Sequence, residues 1–249
     1  MKLGQLLFSQ GFGTRRECDA LVAHGLVEIE WPMERQAGEG VDLTGGCRLV
    51  DDVDLELGDP AGSWFRVRGE RWPYHERALI AMNKPAGYEC SLKPRHHPGV
   101  HSLLPAPLRR RGLQPIGRLD EDTTGVLLFT DDGALVHRLT SPKRHVAKVY
   151  EVGCKHPVDP GQVELLLAGV LLHDDDQTVR AAACEATGEC ELRLTLVEGK
   201  YHQVKRMVAA VANRVETLHR SAFGDVRVDG LAPGAWRWAD ADAAAKVAR

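Results

Sequence analysis

No stretch of this chain approaches the run of roughly 20 apolar residues that a membrane helix requires, so no membrane partner is expected. There is no Cys-x-x-Cys pair either. The six cysteines stand apart at 18, 47, 90, 154, 184 and 190, which fits reduced thiols in a cytoplasm better than a disulfide framework or a zinc site. The start, Met-Lys-Leu-Gly-Gln, is without the charged, apolar and small-residue regions of a secretory signal. No period of 20–50 residues recurs, which excludes solenoids and propellers. Hydrophobic residues at 43% and charged residues at 27% exclude disordered and fibrous classes. A chain of 249 residues buries roughly 70–75% of its unfolded surface without help from disulfides or metal. It allows one large domain or two modest ones.

What the chain does have is an uneven charge. The net value of −3 hides a balance of −7 over residues 1–60, +7 over 61–150 and −3 over 151–249. The basic middle also holds His75, His96, His97, His101, His137 and His145. Such a distribution fits a polyanion-binding face, or a solvated surface on which charges cluster by chance.

Leu3, Leu6 and Leu7 recur at helical spacing. Thr14 is placed to cap a second helix from Arg15 to His24, and Gly25 ends it before an alternating strand at 26–29. Residues 32–48 lack periodicity and read as a loop or irregular hairpin. The glycines and prolines of 58–76 mark a boundary. Beyond it, strands are predicted at 78–82, 126–130, 146–152 and 192–197, and helices at 134–140, 162–168 and 202–211. The chain therefore reads as α+β. A module over 1–60 and a linker over 61–76 precede a domain over 77–235 with two subdomains, and a tail covers 236–249.

Three segments hold chemistry. Gly117-Arg118-Leu119-Asp120-Glu121-Asp122-Thr123-Thr124-Gly125 crowds three carboxylates beside a guanidinium ahead of a buried strand. An ionised aspartate there can serve as nucleophile or general base, while Asp and Thr equally build structural turns. Lys200, His202, Lys205 and Arg206 stand at a strand-to-helix junction suited to phosphate, or form an ordinary basic face. Lys148 and Tyr150 share one face of a strand, where a ring can stack on a base or simply pack. Two further stretches have plainer readings. His173-Asp174-Asp175-Asp176 reads as solvated acids more than a metal site, and Trp64-Phe65-Arg66-Val67-Arg68 as either packing or an RNA contact.

In chain order, Met82-Asn83-Lys84-Pro85-Ala86-Gly87-Tyr88, the Gly117 to Gly133 run, Lys148-Val149-Tyr150-Glu151-Val152, His202-Gln203-Val204-Lys205-Arg206-Met207 and Leu218-His219-Arg220 resemble the pseudouridine synthase family. The likeness is to its RsuA-type branch, the ribosomal small subunit enzymes, and it spans about residues 78–235. Residues 13–27 resemble the S4 RNA-binding module carried in front of such enzymes.

This resemblance implies a mixed, mainly antiparallel β-sheet domain flanked by helices behind a small S4-like α/β module. The implied reaction breaks the N1–C1′ bond of a uridine, turns the base and rejoins it through C5, with no cofactor and no metal. Asp120 takes the position of the family's catalytic aspartate, Tyr150 that of the stacking aromatic, and Lys205 that of the cation paired with the carboxylate. Arg118 matches the arginine that accompanies nucleotide flipping, and Leu218 an apolar pocket residue. Lys84, Thr124, His202, Arg206, Arg15 and Arg16 complete the expected substrate-binding set. The expected partner is 16S ribosomal RNA in an assembling small subunit, bound by a monomer. The alternatives are a large-subunit or tRNA uridine, or a non-catalytic RNA-binding assembly factor.

Overall fold

The computed structural model describes residues 1–30, 48–172 and 178–245, which fall into two compact units. The loop expected at 32–48 lies almost wholly outside the described residues, and the acidic stretch at 173–176 lies outside them entirely. Among the described residues no helix is long and apolar enough to cross a membrane.

The first unit is Met1–Ala78 with Leu104–Leu113. Helix α1 (Leu3–Ser9) buries Leu3, Leu6 and Leu7 completely, as their i, i+3, i+4 spacing dictates. Helix α2 (Arg15–Ala23) starts on a capping box in which the Thr14 hydroxyl accepts from the Glu17 amide and the Glu17 carboxylate accepts from the Thr14 amide. A four-stranded antiparallel sheet follows in the order β2 (Arg48–Val50), β1 (Val27–Glu30), β3 (Trp64–Val67), β4 (Glu70–Pro73).

The structure departs here from the linker expected at 61–76. β3 and β4 form a hairpin whose two-residue turn, Arg68-Gly69, has φ of 53° and 82°, the left-handed pair that a tight hairpin needs. The glycines and prolines mark turns within a sheet. Phe65 and Val67 face inward from β3, while Arg66 pairs with Glu30 and Arg71 stacks on Trp64 at 4.0 Å. The same unit takes in α3 (Ala106–Arg110), fixed by Arg111 Nη1 donating to Gln10 Oε1 at 2.7 Å and to the His75 carbonyl at 3.0 Å. That interleaving is invisible in linear order.

The second unit is Leu79–Leu103 with Gln114–Arg249. Its nine-stranded sheet runs β11 (Ala183–Gly188), β12 (Glu191–Leu196), β8 (Lys148–Cys154), β13 (Val215–Phe223), β7 (Thr124–Thr130), β5 (Leu79–Lys84), β15 (Trp236–Trp238). β6 (Gln114–Ile116) also pairs with β7, and β14 (Val226–Arg227) with β13. Among the described residues the β13–β7 pair is the one parallel pair of this sheet, which is therefore mixed and mainly antiparallel. β7 is buried along its length, as an unbroken apolar run requires. α4 (Gly133–Thr140), α5 (Pro160–Ala168) and α6 (Gln203–Ala210) form near the predicted positions, α4 and α5 capped by Asp132 and Asp159. The expected tail at 236–249 is corrected in part. Trp236 to Trp238 add an edge strand on β5, with Trp236 opposite Met82 and Trp238 opposite Ile80, and their two rings meet edge to face.

β13 approaches β7 most closely at a glycine. Gly125 pairs with Arg220 at φ +101°, and a Cβ there would lie 2.3 Å from the Arg220 carbonyl oxygen. Gly125→Ala is therefore expected to cost about 3 kcal/mol of stability, read as a fall in denaturant midpoint at unchanged slope.

Candidate active site

Residues 117–123 connect β6 to β7 and are held from beneath by one side chain. Lys84, at the end of β5 and fully buried, extends its ammonium to the carbonyls of Pro85, Asp120, Glu121 and Thr123 at 2.9–3.2 Å. Burial lowers its pKa from the ordinary lysine value. These carbonyls replace its lost water, and the loop backbone is fixed in return. Lys84 was expected to touch substrate; its place beneath the loop corrects this. A lysine next to a proline in the sequence shows nothing of the four carbonyls that later fold over it.

Asp120, 29% exposed, sits between two groups at the start of α6. His202 Nε2 lies 3.1 Å from Oδ1, and the Lys205 ammonium 3.1 Å from Oδ2. The same ammonium donates to both oxygens of Asp122 at 2.8 Å. Burial works against the Lys205 charge, yet hydrogen bonds to Asp122 and Asp120 outweigh it and raise its pKa. Asp122 is also disfavoured by burial and is nonetheless lowered by Lys205. His202 reaches Asp120 because it caps α6 in the left-handed region, at φ 48° and ψ 33°, a conformation uncommon for a side chain of this size. The preceding turn is tied by Gln203, which accepts from the Lys200 amide at 2.8 Å and donates to Glu198 at 2.7 Å. Tyr201 stacks on the imidazole at 3.8 Å.

These groups open onto a cleft of about 740 Å³. Its far wall is built by β8 and β13. Tyr150 lies opposite Arg220, and Lys148 opposite Phe223, with Ser221 as the extra residue of a bulge. That insertion keeps Leu218, Arg220 and Phe223 on one face, where strict alternation would turn Phe223 away. Tyr150 and Leu218, each 8% exposed, thus share the cleft with Asp120. A carboxylate fixed at both oxygens beside an aromatic ring and an apolar floor is equipped for nucleophilic or general-base work on a planar substrate.

Arg118 is exposed on the cleft wall. Thr124 and Arg206 are not on it. The Thr124 hydroxyl is 2.8 Å from His219 Nδ1, and Arg206 donates to the Tyr201 carbonyl at 3.3 Å. Both contacts lie within the local scaffold. Arg15 and Arg16 are exposed at the start of α2 in the other unit. Sequence reasoning missed the His202–Asp120 contact, Asp122 as a second acceptor for Lys205 and the burial of Arg220. The first two were within reach, since both residues stood in segments already marked by their charges.

A basic loop borders the cleft. The exposed Glu89 carboxylate accepts from the amides of Arg95, His96 and His97 at 2.8–3.1 Å. The His96 and His97 amides lead in drawing its pKa from 4.5 to about 2. A lowered carboxylate pKa contributes order above its ordinary value and loses it as pH falls toward the folded one. Hydrogen-exchange protection of the His96 and His97 amides should therefore be full above about pH 5 and vanish toward about pH 2.

The sequence profile described as RNA pseudouridylate synthase matches residues 78–210. The "Ribosomal small subunit pseudouridine synthase A" of Yersinia pestis is 43% identical over 219 residues, 87% of this chain and 88% of that one. The protein of that name from Escherichia coli strain K12 is 44% identical over 164 residues, 66% of this chain and 71% of that one. A solved structure described as "Crystal structure of pseudouridylate synthase" is similar with a TM-score of 0.64 and 30% identity, over 99% of both chains. On the extent of these matches, the chain belongs to the RNA pseudouridylate synthase family.

Proposed function

We propose that this protein isomerises a specific uridine of small-subunit ribosomal RNA to pseudouridine, with Asp120 as the catalytic carboxylate. The observation that carries the reading is Asp120 held between His202 and Lys205 in a cleft that also holds Tyr150 and Leu218. In this reading the target nucleotide leaves its stack and enters the cleft. Its base lies on the Tyr150 ring against Leu218, and Arg118 occupies the space it vacates. Asp120 then acts at the sugar while Lys205 and His202 hold the carboxylate in place.

The small-subunit substrate is supported by the names of the relatives from Yersinia pestis and Escherichia coli. RNA binding is supported by exposed cations around the cleft, among them Lys93, Arg95 and Arg118. The N-terminal unit is read as an S4-like RNA-binding module, supported by its two short helices followed by a strand and by Arg15 and Arg16 exposed on the second helix. In this reading the protein works as a monomer on ribosomal RNA in the cytoplasm.

The test presents purified protein with small-subunit ribosomal RNA, large-subunit ribosomal RNA and tRNA transcripts, and maps pseudouridine in each. One new pseudouridine confined to the small-subunit RNA is the expected result. Modification confined to either other RNA would overturn the substrate, and none in any RNA would overturn the activity.

A further inference from the structure

Two cations in the cleft form no ion pair among the described residues. Lys205 is matched by Asp120 and Asp122, whereas among the described residues neither Lys148 nor Arg220 forms an ion pair. Arg220 is only 2% exposed; its Nε donates to the Val126 carbonyl at 2.8 Å and its Nη2 is buried without an acceptor. The Lys148 ammonium donates to the Val146 carbonyl at 2.8 Å. It stands 5.3 Å from the centre of the Phe223 ring, and the Arg220 guanidinium stands 5.4 Å from the same ring. A buried guanidinium with an unfilled donor beside a half-buried ammonium is costly to fold. The cost makes sense where negative charge arrives during the reaction.

We propose that Lys148 and Arg220 form a cationic floor that stabilises the negative charge gained by the uracil ring as the N1–C1′ bond breaks. The proposal rests on the function given above and adds two residues to its chemistry. If Asp120 attacks C1′, a carboxylate oxygen–carbon bond forms and the N1–C1′ electron pair leaves with the base. If Asp120 instead removes the 2′ proton, a C1′–C2′ double bond forms and the same pair leaves. Either way one negative charge passes from the carboxylate to the uracil. When C5 bonds to C1′ the carboxylate recovers its charge, by leaving C1′ on the first route or by returning its proton to C2′ on the second; C5 then loses its proton and N1 gains one. The charge thus moves away from the Lys205 side of the cleft and needs a partner elsewhere. Tyr150, directly across from Arg220 and two residues from Lys148, puts the stacked base beside both. The exposed Lys93 and Arg95 suit the RNA phosphates better, because a phosphate stays with the backbone while only the extruded base reaches the cleft wall.

Burial, with the Arg220 charge adding to it and Glu198 opposing it, lowers the Lys148 pKa to about 8. The other groups beside it on β8 and β13 are Tyr150 and the Phe223 ring. Its charge, and any rate that depends on it, is therefore lost as pH rises through about 8.

The test measures single-turnover pseudouridine formation and RNA affinity for wild type, Lys148→Met and Lys148→Arg across pH. Lys148→Met should slow the reaction about 100-fold while RNA affinity changes less than about threefold. Lys148→Arg keeps the charge and guards against misreading a folding defect: it should stay active and hold its rate on the alkaline side where wild type declines. A loss of RNA affinity in Lys148→Met as large as its loss of rate would overturn the proposal in favour of a phosphate contact. So would an unchanged rate, or an alkaline decline in Lys148→Arg identical to that of wild type. A wild type that forms no pseudouridine in any RNA would overturn the functional reading itself.

Discussion

Asp120→Asn should abolish isomerisation, lowering the single-turnover rate by at least about 10⁴-fold, while RNA affinity stays within about threefold. The amide keeps the carboxylate's size and removes the negative charge that either route requires. The exposed cations Lys93 and Arg95, which would meet phosphate, are on another segment. The substitution also removes one anion from the Lys205 ammonium but leaves Asp122, whose two oxygens both accept from it at 2.8 Å. The fold of the loop is thereby preserved, and the measured loss reports chemistry. Residual turnover within tenfold of wild type would remove Asp120 from its role.

Lys84→Met should produce the second large effect, by a different route. It takes one donor group from four carbonyls, three of them in the 120–123 loop. Charge-assisted hydrogen bonds contribute about 1.5–3 kcal/mol each, against which stands relief from burying the ammonium, so the net loss is about 3 kcal/mol. The loop that carries Asp120 then loses its anchor, and kcat should fall about 100-fold because small misplacements of a reacting group are costly. As Lys84 is a positioning residue with no face toward the cleft, KM should change little. Denaturant unfolding and steady-state kinetics on the same variant check both parts; a large rise in KM at normal kcat would instead make Lys84 a substrate contact.

Much of the fold was legible where local pattern and final environment agree. The apolar run of β7, the alternation of β12 and the Thr14 cap of α2 each needed only neighbours in sequence. β13 escaped because its polar residues, Glu216, His219 and Arg220, break the alternation that marks a strand, although it lies at the centre of the sheet. Its bulge at Ser221 is a property of pairing with β8, and neither strand alone encodes it. The hairpin of β3 and β4 looked like a linker because turn residues punctuate a sheet and a domain boundary with the same glycines and prolines.

At the site, the family resemblance brought Asp120, Tyr150, Lys205 and Leu218 under suspicion together, and all four line the same cleft. What spacing left hidden is which partner each charge meets. His202 and Arg206 look alike as basic residues at a helix start, yet the left-handed backbone at His202 turns it to Asp120 while Arg206 folds back on Tyr201. Lys84 and Lys148 likewise look like surface lysines, and only the folded sheet shows one buried under the loop and the other in the cleft wall.

Pseudouridine mapping in ribosomal RNA from a strain lacking this gene, restored in parallel with the wild-type gene and with the Asp120→Asn variant, bears on the whole reading at once. One small-subunit pseudouridine should vanish on deletion, return with the wild type and stay absent with the variant. An unchanged pseudouridine pattern on deletion, or a return of the modification with Asp120→Asn, would contradict it.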